Sequence, residues 1–199
     1  MTVSQERSIN SLNVYDFDNT IYRGESGVSI YFFFLKKDLM LLKKIPWGIE
    51  LIIKYKTGRM TMEQVLDKYS GFLVSYGQSI ANFDDKMEEF WDIHGKRIKP
   101  FYLKQRKDDD LIISACPDII LEVICKRLNI RNYITTKTEK DTMRLISFCY
   151  RENKVKAFKE IYADTVIDNF YTDSYNDSAM FDLARNVYIV KGNRMKKIK

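Results

Sequence analysis

Four polar clusters in this 199-residue chain hold residue types that could do chemistry. The first is Asp16-Phe17-Asp18-Asn19-Thr20, at the end of an apolar run over residues 11–16 that reads as a buried strand. Two carboxylates two residues apart at a strand end can point into one crevice. Crowded there, they resist ionising unless a cation joins them. The second is Ser114, which ends the apolar run 111–113. A hydroxyl at that point, followed by backbone N–H groups entering a helix, suits a phosphate oxygen. The third is Lys154, near the start of a helical pattern over 152–162 and a point charge fit for a phosphoryl group. The fourth is Asp173-Ser174-Tyr175-Asn176-Asp177, after residues 170–172, with two more carboxylates. An oxygen-only donor set points to Mg²⁺ rather than zinc.

Each cluster also has a plain structural explanation. An Asp-Asn turn after a strand is common, Ser114 can cap the next helix, and Asp177 can match a helix dipole. The weight lies in their order, because each falls where a strand ends or the following helix begins. Beyond residue 111, strands at 111–114, 133–135, 165–167 with 170–171, and 187–190 alternate with helices at 117–128, 152–162 and 176–184. That texture predicts a mostly parallel, Rossmann-like α/β sheet with helices on both faces, whose ligands bind beyond the carboxyl ends of the strands. Residues 136–149 read as a possible hairpin, and the basic tail 191–199 as frayed.

Between the first strand and residue 107 the pattern is helical throughout. Apolar residues recur through Ile30, Phe33, Phe34, Leu41 and Leu42, then through Ile49, Ile52 and Ile53, with a break expected at Ile45-Pro46-Trp47-Gly48. Thr57-Gly58 ends the second helix, and Thr61 with Gln64 reads as a capping box for the third. A fourth runs from about residue 80 to His94, and a short one follows Pro100. The expected division is a core of residues 1–20 and 108–199 with an all-helical insertion over 21–107.

Composition sets limits on the rest. The chain is 45% hydrophobic and 30% charged, which excludes wholesale disorder, and its single histidine excludes a multi-histidine zinc site. Cys116, Cys125 and Cys149 are widely spaced without a CxxC pair, as expected of small buried thiols in a reducing, cytoplasmic setting. Residues 1–10 show no signal-peptide pattern, and charges at 36–38 cut short the most apolar run. The insertion holds 16 Lys and Arg against 10 Asp and Glu, the whole of the net charge of +6. A basic insertion on a neutral body suits an anionic substrate or surface. No nucleic-acid module is recognisable, so no nucleic-acid partner is expected.

At these residues the sequence resembles the haloacid dehalogenase superfamily, and more closely its phosphoserine-phosphatase-like branch with a helical cap. DFDNT looks like the first motif, Ser114 the second, Lys154 the third and DSYND the fourth. The resemblance implies that Asp16 attacks phosphorus to form an aspartyl-phosphate and that Asp18 serves as general acid, then base. It implies Mg²⁺ held by Asp16, Asp173 and the backbone carbonyl of Asp18, with Asp177 in support. Ser114 and Lys154 would balance phosphoryl charge, Thr20 and Asn176 would support the site, and Lys156 is the alternative to Lys154. An acid two residues after the nucleophile favours phosphate esters over carbon–halogen bonds. The residues around 136–151 lack the glycine-bearing turn usual in that branch.

In the branch, an acid and a cap arginine contact the serine part of the substrate, and Glu25 and Arg59 match them. Glu25 could equally cap the helix starting near Ser26, and Arg59 could be a turn residue. The expected substrate is a small polar phosphate ester such as phosphoserine. Tyr31, Phe32, Phe33, Phe34 and Trp47, with lysine pairs at 36–37 and 43–44, suggest an alternative: a lipid phosphate such as phosphatidylglycerophosphate, met at a membrane surface. A core role for the same aromatic stripe is the competing explanation. A non-catalytic binding protein of this fold is the third possibility.

Overall fold

Alternation along the central strands explains why the sheet is buried on both faces. In the computed structural model, which describes residues 12–60, 62–163 and 165–199 (some side chains of the second and third helices excepted), β1 is Asn13–Tyr15. Val14 faces one core with Leu111, Ile113 and Phe170; Tyr15 faces the other with Ile112 and Tyr171. Successive side chains of a strand point to opposite faces, so strands covered on both sides read as unbroken apolar runs. Ser11 and the residues before it lie outside the described residues.

The other strands are β2 (Leu111–Pro117), β3 (Asn132–Glu139), β4 (Arg144–Ser147), β5 (Ile167–Thr172), β6 (Ala184–Lys191) and β7 (Arg194–Lys197). They form one seven-stranded sheet in the order β4-β3-β2-β1-β5-β6-β7. The five inner strands are parallel, and β4 and β7 close the edges antiparallel. This is the expected Rossmann-like α/β architecture. Asp16 follows β1 at the middle of the order, flanked by the ends of β2 and β5.

Between β1 and β2 come α1 (Ser26–Leu35), a 3-10 turn (Leu39–Lys44), α2 (Ile45–Lys56), α3 (Met62–Ser79), α4 (Phe83–His94) and α5 (Pro100–Gln105). Phe33, Phe34, Phe90, Trp91 and Tyr102 from this insertion share one apolar core with Tyr15, Ile112 and α6 (Asp118–Arg127). Trp91 Nε1 donates to the Ile120 carbonyl at 2.8 Å, which fixes α4 on α6. On the opposite face, α7 (Glu152–Tyr162) and α8 (Ser178–Phe181) supply Phe158 and Met180.

Several boundaries differ from the sequence reading. The break after α1 falls at residues 36–38, where charges follow Leu35, and Asp38 caps the 3-10 turn through the Met40 amide at 2.9 Å. Pro46 sits in the first turn of α2, where its missing N–H costs nothing. The tail is not frayed: β7 pairs with β6 although all its side chains are exposed, so backbone bonding rather than burial holds it. The last helix shrinks to α8 after a 3-10 turn, because Ala184 already begins β6. Residues 137–147 form the β3–β4 hairpin. Thr61 and the Ile52 side chain lie outside the described residues.

Candidate active site

Asp16 is 7% exposed, at the carboxyl end of β1, and its amide donates to the Tyr171 carbonyl of β5 at 2.8 Å. Its two carboxylate oxygens accept from Lys154 Nζ at 2.7 Å and from Thr20 Oγ1 at 3.2 Å. Lys154 lies in the first turn of α7, 2% exposed, and its ammonium also reaches the Asp177 carboxylate at 2.9 Å. Asp177 is held in turn by Thr172 Oγ1 of β5, at 2.9 Å. One buried cation thus ties β1, α7 and the segment after β5. Lys156, two residues on, is exposed, and it is Lys154 that meets Asp16.

The charges explain one another. Burial works against the Lys154 ammonium, but Asp16 and Asp177 more than offset it and hold its pKa above the ordinary lysine range. Burial lifts the Asp16 pKa, Lys154 opposes the lift, and Asp177 adds to it. Asp18 sits differently. Burial pushes it up to about 7, against the hydrogen bonds from Ser26, with Asp16 adding to the rise. Its oxygens accept from the Ser26 amide at 2.8 Å and Ser26 Oγ at 3.0 Å, so Asp18 caps α1. Asp173 is half-buried and raised by burial and by Asp177.

Ser114 is 1% exposed in the middle of β2, where the pairing with β3 shifts register, and accepts from the Cys116 amide at 3.0 Å. The strand runs on to Pro117, past the end expected at Ser114. The Cys149 thiol links it to the rest: it is hydrogen-bonded by the Ser114 backbone and feels the charges of Lys154, Asp16 and Asp177. All three cysteines are free and buried. His94 ends α4, stacked on Phe90 and 3.2 Å from the Tyr22 hydroxyl. Among the described residues, no three acidic, thiol or imidazole side chains converge as a ready-made metal site.

The family can be decided from the ordered set Asp16, Asp18, Ser114, Lys154, Asp173 on this sheet together with one comparison. A family model of the haloacid dehalogenase-like hydrolases matches residues 14–182. The chain belongs to that family. Among curated proteins, none matches its sequence at a significant level. Solved structures do match this hydrolase in fold. One is a protein of unknown function from Bordetella pertussis Tohama I, with a TM-score of 0.71 and 17% identity over 89% of this chain and 88% of that one. Another is a phosphoserine phosphohydrolase-like protein from Francisella tularensis, at 0.57 and 16% over 89% and 85%. A third is a phosphoserine phosphatase solved as an analogue of its phospho-aspartyl intermediate, at 0.51 and 15% over 89% and 84%.

Of the two cap residues expected at the substrate, the hydrolase brings one to the cluster. Glu25 precedes α1, accepts from Asn19 Nδ2 and has its pKa raised by burial and by Asp173. It is the N-cap residue by position, yet its side chain makes no capping bond; Asp18 does that work. Arg59 is exposed beyond α2 and lines a surface hollow with Lys54, Met60, Gln64, Asp67 and Lys68, none of them a member of the cluster. Asn176 is exposed as well, its amide bonded to Ser174 Oγ.

Three supporting residues escaped the sequence reading: Ser26, Thr172 and Lys99. Lys99 comes from the end of the insertion, is 3% exposed and donates to the Asn19 carbonyl. Burial lowers its pKa, and Asp173 counters that effect. A hydroxyl before a glycine and a lysine before a proline carry no signal in sequence. Asn19 does: its φ of +57° is the left-handed turn that asparagine tolerates, and it folds the chain back toward Glu25.

Proposed function

We propose that the chain is a Mg²⁺-dependent phosphomonoesterase that works through an aspartyl-phosphate on Asp16. The observation that carries this reading is the contrast between its two neighbouring carboxylates. Burial raises the pKa of both, but Asp16 accepts from the buried Lys154 ammonium at 2.7 Å, which favours the ionised form a nucleophile needs. Asp18 accepts from the neutral amide and hydroxyl of Ser26 and rises to about 7, as suits a general acid. The solved phospho-aspartyl analogue of a structurally similar phosphatase supports the same chemistry.

The donor set fits Mg²⁺. Asp16, Asp173 and the Asp18 carbonyl offer hard oxygens only, and this ion takes one or two carboxylates with water and substrate oxygens completing its shell. Asp16, Asp173 and Asp177 gather around Lys154, three carboxylates to one ammonium, a balance that a cation would complete. Held by these oxygens, the ion would supply charge neutralisation for the phosphoryl oxygens.

The residues of the chain do the rest. The Asp16 carboxylate attacks phosphorus, and the bond from phosphorus to the leaving oxygen breaks as Asp18 gives that oxygen its proton. Asp18, now a carboxylate, takes a proton from water, which attacks phosphorus and frees Asp16. Lys154 and the Ser114 hydroxyl hold the transferring group. Helices of the 21–107 insertion act as the cap, joined to the 1–20 and 108–199 core through the Asp18–Ser26 bonds.

Phosphate release from a panel of monoesters, including phosphoserine and phosphatidylglycerophosphate, tests this reading with Mg²⁺ and with EDTA. Release that needs the metal, and is absent in Asp16→Asn, is expected; metal-independent release or release by the variant would refute it. A second reading, the same chemistry on a lipid phosphate, is favoured by exposed apolar residues beside the lysines of the insertion.

A further inference from the structure

The aromatic stripe of the insertion divides. Phe33 and Phe34 are core, and Trp47 packs edge-on against Phe72 of α3. What stays outside is mostly aliphatic: Leu39 is 69% exposed and Met40 62%, with Phe32 and Leu42 beside them. On α2, Trp47 and the buried Leu51 lie one turn apart on the inner face; Ile49 and Ile53, also a turn apart, lie exposed on the other. Among the described side chains of residues 32–53, six large apolar ones are exposed, interleaved with exposed Lys36, Lys37, Lys43 and Lys44. Apolar residues flanked by lysines are the pattern of a segment that lies in the headgroup region of an anionic bilayer. No described helix is long and apolar enough to cross one.

A second feature lies along the inner side of α1, behind that tip. An apolar cavity of about 70 Å³ lies between α1, α3, α6 and the β3–β4 hairpin. Gly27, Ile30, Tyr31 and Phe34 line it at the spacing of one helix face, and Leu41 of the 3-10 turn joins them. Gly27 adjoins Ser26, which binds Asp18, and Pro117 of the lining adjoins Cys116, whose sulfur lies 3.3 Å from Ser26 Oγ. Leu41 points in while Met40 and Leu42 stay outside. From Gly27 to Phe34 the lining follows α1 for about 10 Å, from the turn that binds Asp18 toward the exposed tip. The hairpin wall, Met143 and Leu145, comes from the stretch where the sequence departs from its branch.

We infer that the substrate is a phosphate monoester of a long hydrocarbon alcohol, taken from an anionic bilayer on which residues 32–53 seat, with the carbons beyond its first two held in the cavity along α1. The inference rests on the phosphomonoesterase reading for its chemistry. The bilayer contact does not, and that lets the two be tested apart.

The first arm measures sedimentation of the full chain carrying Asp16→Asn with vesicles of phosphatidylglycerol and phosphatidylcholine, and with phosphatidylcholine alone. Binding to the anionic vesicles that weakens with salt is expected, with at least tenfold loss in Lys36→Glu/Lys43→Glu and in Leu39→Asp/Met40→Asp. No binding at low salt, or binding unmoved by both double variants, overturns the bilayer contact. So does a dimer seen by light scattering that Leu39→Asp dissociates while vesicles go unbound, because the patch would then serve a second copy.

The second arm compares alkyl phosphates of two to twelve carbons with wild type and Gly27→Leu. A Cβ at Gly27 meets nothing within 4 Å, so a leucine there fits without displacing backbone and adds its bulk at the rim of the cavity. Preference for the long ester, reduced at least tenfold by Gly27→Leu while the two-carbon ester changes less than threefold, supports the inference. No chain-length preference, or equal loss for both esters, overturns it. Vesicle binding without phosphate release from any ester leaves the surface standing and refutes the enzymatic reading instead.

Discussion

At the level of single residues, the site is a problem of buried charge. Lys154 neutralises two carboxylates that otherwise face each other out of water, so its loss is felt twice. Lys154→Met should abolish phosphate release and destabilise the metal-free protein by about 3–5 kcal/mol near pH 8, the cost of leaving buried charge unpaired. Part of that loss should return at lower pH, where Asp16 takes up a proton. Denaturant titrations at pH 6 and 8 check both points; equal losses at the two pH values would show that charge is not the cause. Asp18 makes a prediction of opposite sign. Its folded pKa of about 7 lies above the ordinary aspartate value of 3.8, so folding favours its protonated form. Its contribution is full below about pH 4 and is lost as pH rises through 7. Asp18→Asn removes this dependence and should be inactive yet more stable than wild type at pH 8, by roughly 1–4 kcal/mol without metal. A variant less stable than wild type at that pH would contradict it.

Among the elements, α1 has the most to do. Its first amide and first hydroxyl bind Asp18, one face packs Phe33 and Phe34 into the core, and the residues beyond Leu35 turn outward. Ser26→Ala keeps the amide bond and loses the hydroxyl, so it should cost about 1 kcal/mol in stability and about tenfold in kcat/KM. The two readings are thermal unfolding and steady-state kinetics on one ester. A large stability loss with unchanged kinetics would make Ser26 a purely structural cap. The β3–β4 hairpin has a comparable joining role: Met143 packs against Gly77 of α3, and Gln78 Nε2 donates to the Thr142 carbonyl at 3.1 Å.

For the whole molecule, the sheet organises everything, and its far edge is dispensable to the chemistry. The exposed β7 shields the edge of β6, far in strand order from Ser114 on β2. Ending the chain after Gly192 should leave kcat unchanged while baring a strand edge that templates self-association. Light scattering against concentration would show it; a monomeric, equally soluble truncation would mean that β7 protects nothing.

The sequence by itself determined the α/β class, the helical insertion and the candidate residues Asp16, Asp18, Ser114, Lys154, Asp173 and Asp177. Each is a polar residue placed where a local apolar pattern stops, and local pattern is what a sequence displays. Glu25 was legible for the same reason. Tertiary structure decided what depends on contacts distant in the chain. Asp16 meets Lys154 across 138 positions, a distance that no periodicity encodes. Lys99 and Ser26 gain their roles only because the insertion returns to β1, and Arg59 stays outside because its turn points elsewhere. The tail reads as loose because lysines face solvent along it, yet β7 is held by backbone bonds, which are blind to side-chain type. Apolar side chains at helical spacing look alike in sequence whether they face a core, a cavity or water. Packing alone sorted Phe33 from Met40 and Leu41.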